Sequence, residues 1–262
     1  MKHYYSILFC LASLFQSPQL KSQSTIPVCP SDFFLEKDLK DPILFQKQQD
    51  FEEGILKAFS QKSQSISESN VLKTIPTVTH IVHNGGSENL SDAQVQQGLL
   101  WLNQALSNTG IFNQGSGTNT DVQLCFAQRT PDGLSTNGIT RTQNVLTELQ
   151  AESQDLQLKN LIRWKPKDYL NIWIVKGICS SNYGCGIVAY AYYPYAHGSS
   201  IDGIVIEADY LTDINKVSSL AHELGHYLGL YHTFKEGCNN NNCLIDGDRI
   251  CDTPPDQSTA FK

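Results

Sequence analysis

The sequence predicts an α/β protein, a sandwich built around a mixed sheet. Two observations carry that expectation. From about residue 73 onward, short apolar runs alternate with amphipathic helical stretches, and a length of 262 residues suffices for one substantial core plus a small appendage. A hydrophobic fraction of 40% and a charged fraction of 17% are those of an ordinary globular chain. The net charge of -7, with no run of lysine or arginine, argues against nucleic acid as a partner.

Residues 1–24 read as a secretory signal peptide: Lys2 precedes an apolar run from about Tyr4 to Phe15, and small polar residues follow at Ser22 and Ser24. That run is much shorter than the roughly 20 apolar residues of a membrane span, so no span is expected after signal removal. Residues 25–72 form a separate helical segment and linker. Asp41 and Pro42 supply a cap and first turn, and Leu44, Phe51, Ile55 and Phe59 fall near one helical face. Residues 60–70 have the composition of an exposed linker.

The second domain is expected over 73–262. Residues 77–84 read as a strand, and residues 91–110 as a helix opened by a capping box at Ser91 and Gln94, with Val95, Leu99, Leu102 and Leu106 on one face. Residues 121–128 are strand-like and 144–163 helical, while 169–175, 186–193 and 203–208 are three more short apolar strands. His80 and His83, at odd spacing on a strand, point to opposite faces and form no pair. His197, in a loop, is most simply a surface residue.

The densest chemistry lies in HELGHYLGLYH, His222 to His232. On a helix, His222 and His226 sit about 40° apart around the axis and roughly 6 Å along it, so both reach one ion. Glu223 points beside that pair, where it can hold a water without being a ligand, as a general base must. Ten further helical residues would carry His232 roughly 15 Å away. Gly229 tolerates the left-handed conformation that ends helices, which lets the chain turn back and bring His232 to the ion. Three neutral imidazoles leave a fourth tetrahedral position open, the arrangement of a catalytic zinc site.

HELGHYLGLYH resembles the metzincin zinc peptidases, and its context, AHELGHYLGLYHTFKEGC followed by GDRICDTPPD, resembles the pappalysin family. The resemblance covers most of residues 74–256. It implies a metzincin-like zincin domain: a twisted mixed sheet with an active-site helix and a backing helix, preceded by a helical pro-segment. It implies zinc on His222, His226 and His232, with Glu223 as general base. The expected function is that of a secreted, extracellular zinc endopeptidase, made as a zymogen and acting on proteins or peptides. A zinc-stabilised binding module without catalysis, or an inactive fragment of the peptidase, is the alternative. Glu223 favours the enzyme, since a structural site needs no base.

By the same resemblance, Gly186, Ile187, Val188, Ala189 and Tyr190 lie on the edge strand that pairs with an extended substrate; an ordinary buried strand is the competing view. Family members bind calcium at the acidic loop, which makes Asp246, Asp248, Asp252 and Thr253 candidate oxygen ligands, against a merely solvated loop. Cys29, in the proposed pro-segment, is a candidate latency switch, because a thiolate can take the open zinc position; a structural disulfide is the other option.

Metzincins carry a methionine turn beneath the zinc, whereas the one methionine here is Met1. The expectation is a chain that stops before that turn and has little peptidase activity by itself. The relatives' pairing would leave Cys251 without a partner. Beyond the signal, Cys29, Cys125, Cys179, Cys185, Cys238, Cys243 and Cys251 are disulfide candidates in an oxidising compartment. Cys179 and Cys185 flank a loop short enough for one bridge, and Cys238 and Cys243 flank four asparagines.

Overall fold

A computed structural model describes residues 29–62, 71–115, 117–239, 241–254 and 256–257. The expected signal peptide and most of the 60–70 linker lie outside the described residues. Strand β1 (Lys73–His83) is the axis of the main sheet. On one side it pairs end to end with β2 (Val122–Phe126) and β3 (Ile139–Gln143), and on the other with β5 (Leu170–Val175), all parallel. Then come β9 (Ile204–Glu207), parallel to β5, and the antiparallel edge strand β8 (Ala189–Ala191). A smaller sheet joins β4 (Glu148–Gln150), β6 (Gly177–Ser180) and β7 (Gly184–Ile187).

Each face of the main sheet has its own apolar cluster. One face is covered by α3 (Asp92–Leu106), α5 (Ala208–Leu211) and α6 (Ser218–Tyr227); Val95, Leu99 and Leu102 meet Ile81, Ile172, Ile174 and Leu220 there. The capping box of α3 forms as its sequence requires, Ser91 and Gln94 exchanging bonds. The other face buries Trp173, Val175 and Val205 against α4 (Ala151–Leu161), the small sheet, and two side chains from far upstream, Phe34 and Leu35.

Two expectations need correction. Residues 144–163 are not one helix: Asn144 caps a 3-10 turn, β4 pairs with β6, and α4 begins only at Ala151. Pairing with a distant strand overrides local helix preference there. Residues 186–193 are likewise two strands, β7 and β8, in different sheets.

Upstream, α1 (Ser31–Asp38) and α2 (Pro42–Lys62) pack on the α/β domain. The side chain of Asp41 caps α2 through the Ile43 N–H at 2.8 Å. The expected apolar face of α2 is covered only at its start: Leu44 and Phe51 are half-buried, whereas Ile55 is 42% and Phe59 65% exposed. Contact with Gly229 and Tyr231 ends near Phe51 and Glu52, and the helix continues beyond it.

His80 is buried at the sheet centre. Its Nε2 donates to Asn171 Oδ1 at 2.9 Å, and its Nδ1 accepts from Thr140 at 2.7 Å. Asn171 Nδ2 donates to the Trp164 and Tyr169 carbonyls, which orients the amide and hence the imidazole tautomer. Burial lowers the His80 pKa to about 4. The unfolded chain therefore binds this proton more readily than the folded one. Stability should fall as pH drops from about 6.5 to about 4, by up to about 3 kcal/mol from this group. Urea unfolding across that range checks it: His80→Asn should flatten the dependence, and an unchanged slope would remove His80 as its source.

Candidate active site

Helix α6 anchors the site by burying Leu220 and Leu224. It ends in a Schellman motif: Gly229 N–H donates to the His226 carbonyl and Leu230 N–H to the Gly225 carbonyl, both at 2.9 Å. Gly229 has φ of 102°, and a β-carbon there would lie 2.7 Å from the Phe51 ring. Backbone conformation and close approach both call for glycine. The reversal returns His232, whose Nε2 lies 3.1 Å from His226 Nε2 and 3.2 Å from His222 Nε2; the remaining side of the triangle is 3.0 Å.

Those spacings suit a single ion. Metal–nitrogen bonds of about 2.0–2.1 Å at tetrahedral angles set ligand nitrogens roughly 3.3 Å apart. The far ring nitrogens are committed elsewhere. His226 Nδ1 donates to the Leu230 carbonyl at 2.8 Å, beside the Tyr193 hydroxyl, and His232 Nδ1 donates to Asp32 Oδ2 at 2.7 Å. In the neutral rings, the Nε2 lone pairs of both then face the centre, where a cation relieves their repulsion. Burial and the neighbouring imidazoles lower His226 to about 3, and burial also lowers His222, so both rings are neutral donors. Cys29 adds a fourth donor: its sulfur and one nitrogen of each histidine lie within 4.8 Å of one another, the one group of this kind among the described residues.

Glu223 is 3% exposed. Its Oε2 accepts from Ser31 Oγ at 2.9 Å, and that same Oγ accepts the Ala191 N–H of β8 at 3.0 Å. Burial pushes the Glu223 carboxyl up to about 7, against the lowering effect of hydrogen bonds from Ser31 and Cys29. Burial and the Glu223 carboxylate push the Cys29 thiol up. For Asp32, burial raises the carboxyl, but hydrogen bonds from His232 and Tyr193 outweigh it and hold the group at about 2.

The other candidates are scattered. Gly186 and Ile187 belong to β7, while Ala189 and Tyr190 lie on the edge strand β8. The Tyr190 side chain turns into the core to donate to Asp155 at 2.6 Å, leaving its backbone at the edge. Asp246 and Asp248 cap turns through Asn242 N–H and Ile250 N–H, and Asp252 is exposed; among the described residues these three carboxylates do not form a metal-ligand group. Cys179 bonds Cys185. Cys251 bonds Cys243, contrary to the expectation of an unpaired Cys251, because turns centred on Asn242 and Asp246 bring the two within 4.8 Å between Cα atoms. Cys238 is left as a free thiol.

Sequence reasoning passed over Ser31, Asp32 and Tyr193. Ser31 and Asp32 stand two and three positions after Cys29, and the one usable signal was that a hydroxyl and a carboxylate follow a candidate metal-directed thiol.

Residues 152–262 match the Peptidase_M43 family, described as pregnancy-associated plasma protein-A. The chain is 26% identical over 191 residues to an extracellular metalloprotease of Arthroderma otae, covering 70% of this chain and 59% of that protein. It is 28% identical over 198 residues to one of Pyricularia oryzae, covering 71% and 58%. It thus spans about three-fifths of these relatives' length. Among solved structures it resembles Tannerella forsythia mature mirolysin in complex with a cleaved peptide, at TM-score 0.58 and 29% identity, over 70% of this chain and 72% of that one. It also resembles a point mutant of Tannerella forsythia promirolysin, at TM-score 0.62 and 25% identity, over 86% and 74%. The family match covers the segment that carries the three histidines, and the relatives to which the chain is similar are likewise metalloproteases, so residues 152–262 resemble the pappalysin family of metallopeptidases.

Proposed function

We propose that the chain is a zinc-dependent endopeptidase, exported and held as a zymogen, with residues 25–72 as pro-segment and linker and 73–262 as catalytic domain. The triangle of imidazole nitrogens beside a buried carboxylate carries this reading. Zinc bound there would polarise a peptide carbonyl and acidify water. Glu223, with its raised carboxyl pKa, is suited to take the proton of the attacking water and pass it to the departing amine. Open backbone groups of β8 would align an extended substrate by strand pairing.

Latency follows from the docked α1. Ser31 occupies both Glu223 and the Ala191 N–H, and the Cys29 sulfur lies within 4.8 Å of the three imidazole nitrogens. A thiol in contact with a metal ion ionises despite its burial. Support also comes from the likeness to promirolysin, which spans more of this chain than the likeness to mature mirolysin, 86% against 70%. Export is supported by the extracellular relatives and by the signal-like start; no helix among the described residues is long and apolar enough to cross a membrane. Zinc is the metal assigned; a calcium site at Asp246, Asp248, Asp252 and Thr253 has no gathered ligands behind it.

The test is metal content and its link to activity. Purified chain should carry one zinc, and the full-length protein, activated by removal of the pro-segment, should lose peptide hydrolysis to a chelator and regain it with zinc. A chain that takes up no zinc, or activity indifferent to the chelator, would end the proposal.

A further inference from the structure

The three histidines differ in what stands behind them. His226 is backed by the Leu230 carbonyl, within its own domain. His222 is the most exposed of the three, covered on one side by the rings of His226 and His232. His232 alone has a carboxylate behind it, and that group, Asp32, belongs to α1, 200 positions upstream. Its geometry is specific: Asp32 Oδ2 accepts from His232 Nδ1 at 2.7 Å, while Oδ1 accepts from the Tyr193 hydroxyl at 2.8 Å. Both oxygens are thus used, and the side chain is largely covered, at 25% exposure. Tyr193 in turn packs its ring on Tyr231, centroids 5.4 Å apart, so the carboxylate is held from the catalytic side as well.

A carboxylate behind a ligating imidazole fixes the ring's orientation and tautomer and makes the other nitrogen a better donor. From this geometry we infer that Asp32 is a positioning residue of the metal centre, supplied by the pro-segment, and that the chain with α1 docked holds zinc more tightly than the domain without it. The inference rests on the zinc site proposed above. The pro-segment then does two things: it covers the site through Cys29 and Ser31, and it completes the support of the third ligand. Loss of α1 would leave His232 without a carboxylate partner.

The experiment follows zinc release from the loaded, full chain to a chromogenic chelator, comparing wild type with Asp32→Asn and Ser31→Ala. Asp32→Asn keeps the side-chain volume but replaces the accepting carboxylate, and should speed release about 10–100-fold. Ser31→Ala removes the neighbouring contacts to Glu223 and Ala191 while leaving the Asp32 pair in place, and should release zinc near the wild-type rate. In proton NMR of the zinc-loaded chain, a strongly downfield His232 Nδ1 proton should be present in wild type and Ser31→Ala and lost in Asp32→Asn. Release at the wild-type rate from Asp32→Asn overturns the inference. Equal acceleration by both variants also overturns it, since docking of α1 and not the carboxylate would then retain the metal. Wild type that binds no zinc sinks the underlying zinc reading itself, a result distinct from either.

Discussion

Glu223→Gln is expected to lower peptide hydrolysis by the activated full-length protein about 10²–10⁴-fold, the usual contribution of a general base, with bound zinc unchanged. The substitution keeps the shape of the side chain and removes only its ability to take a proton. The metal should stay because Glu223 is not among the clustered donors: those are Cys29, His222, His226 and His232. Measuring kcat/KM and zinc content on the same samples separates the roles. Zinc lost together with activity would make Glu223 a ligand, and activity retained would place the base elsewhere.

Phe34→Ala should be strongly damaging although it lies outside the site, with a loss of about 3–5 kcal/mol from the folded state with α1 docked. Phe34 is 1% exposed, with its ring centroid 5.1 Å from that of Tyr190 and 5.4 Å from that of Tyr192. A cavity in so aromatic a setting cannot close without moving β8, whose Ala191 N–H is tied to Ser31. Urea unfolding reads the loss as a lowered midpoint. A midpoint equal to wild type would mean that α1 contributes nothing to the core.

What was legible in the sequence, and what was not, follows from the range of the interactions. The turn at Gly229 could be read because the requirement is local: a helical pair of histidines, a glycine, and a third histidine too far along the axis to join unless the chain reverses. Strand β5 and helix α3 were equally readable from apolar periodicity. By contrast β4, three residues long, exists because β6 pairs with it. Its own residues carry no such instruction. Gln48 is buried while Phe59 is exposed on the same helix, because the limit of docking is set by Tyr231 and Gly229 and not by α2. The contacts of Ser31 and Asp32 with Glu223 and His232 span 192 and 200 positions, beyond what spacing can reveal.

The burial of Phe34 and Leu35 in the second apolar cluster bears on how such a chain would switch on. Cutting the backbone between α2 and β1 alters no contact of Ser31, Asp32, Phe34 or Leu35. It turns an intramolecular contact into a complex between two separate molecules, governed by concentration instead of tether. The cut would thus create an inhibitor before it created an enzyme, and the pace of activation would be set by dilution of the freed peptide or its digestion.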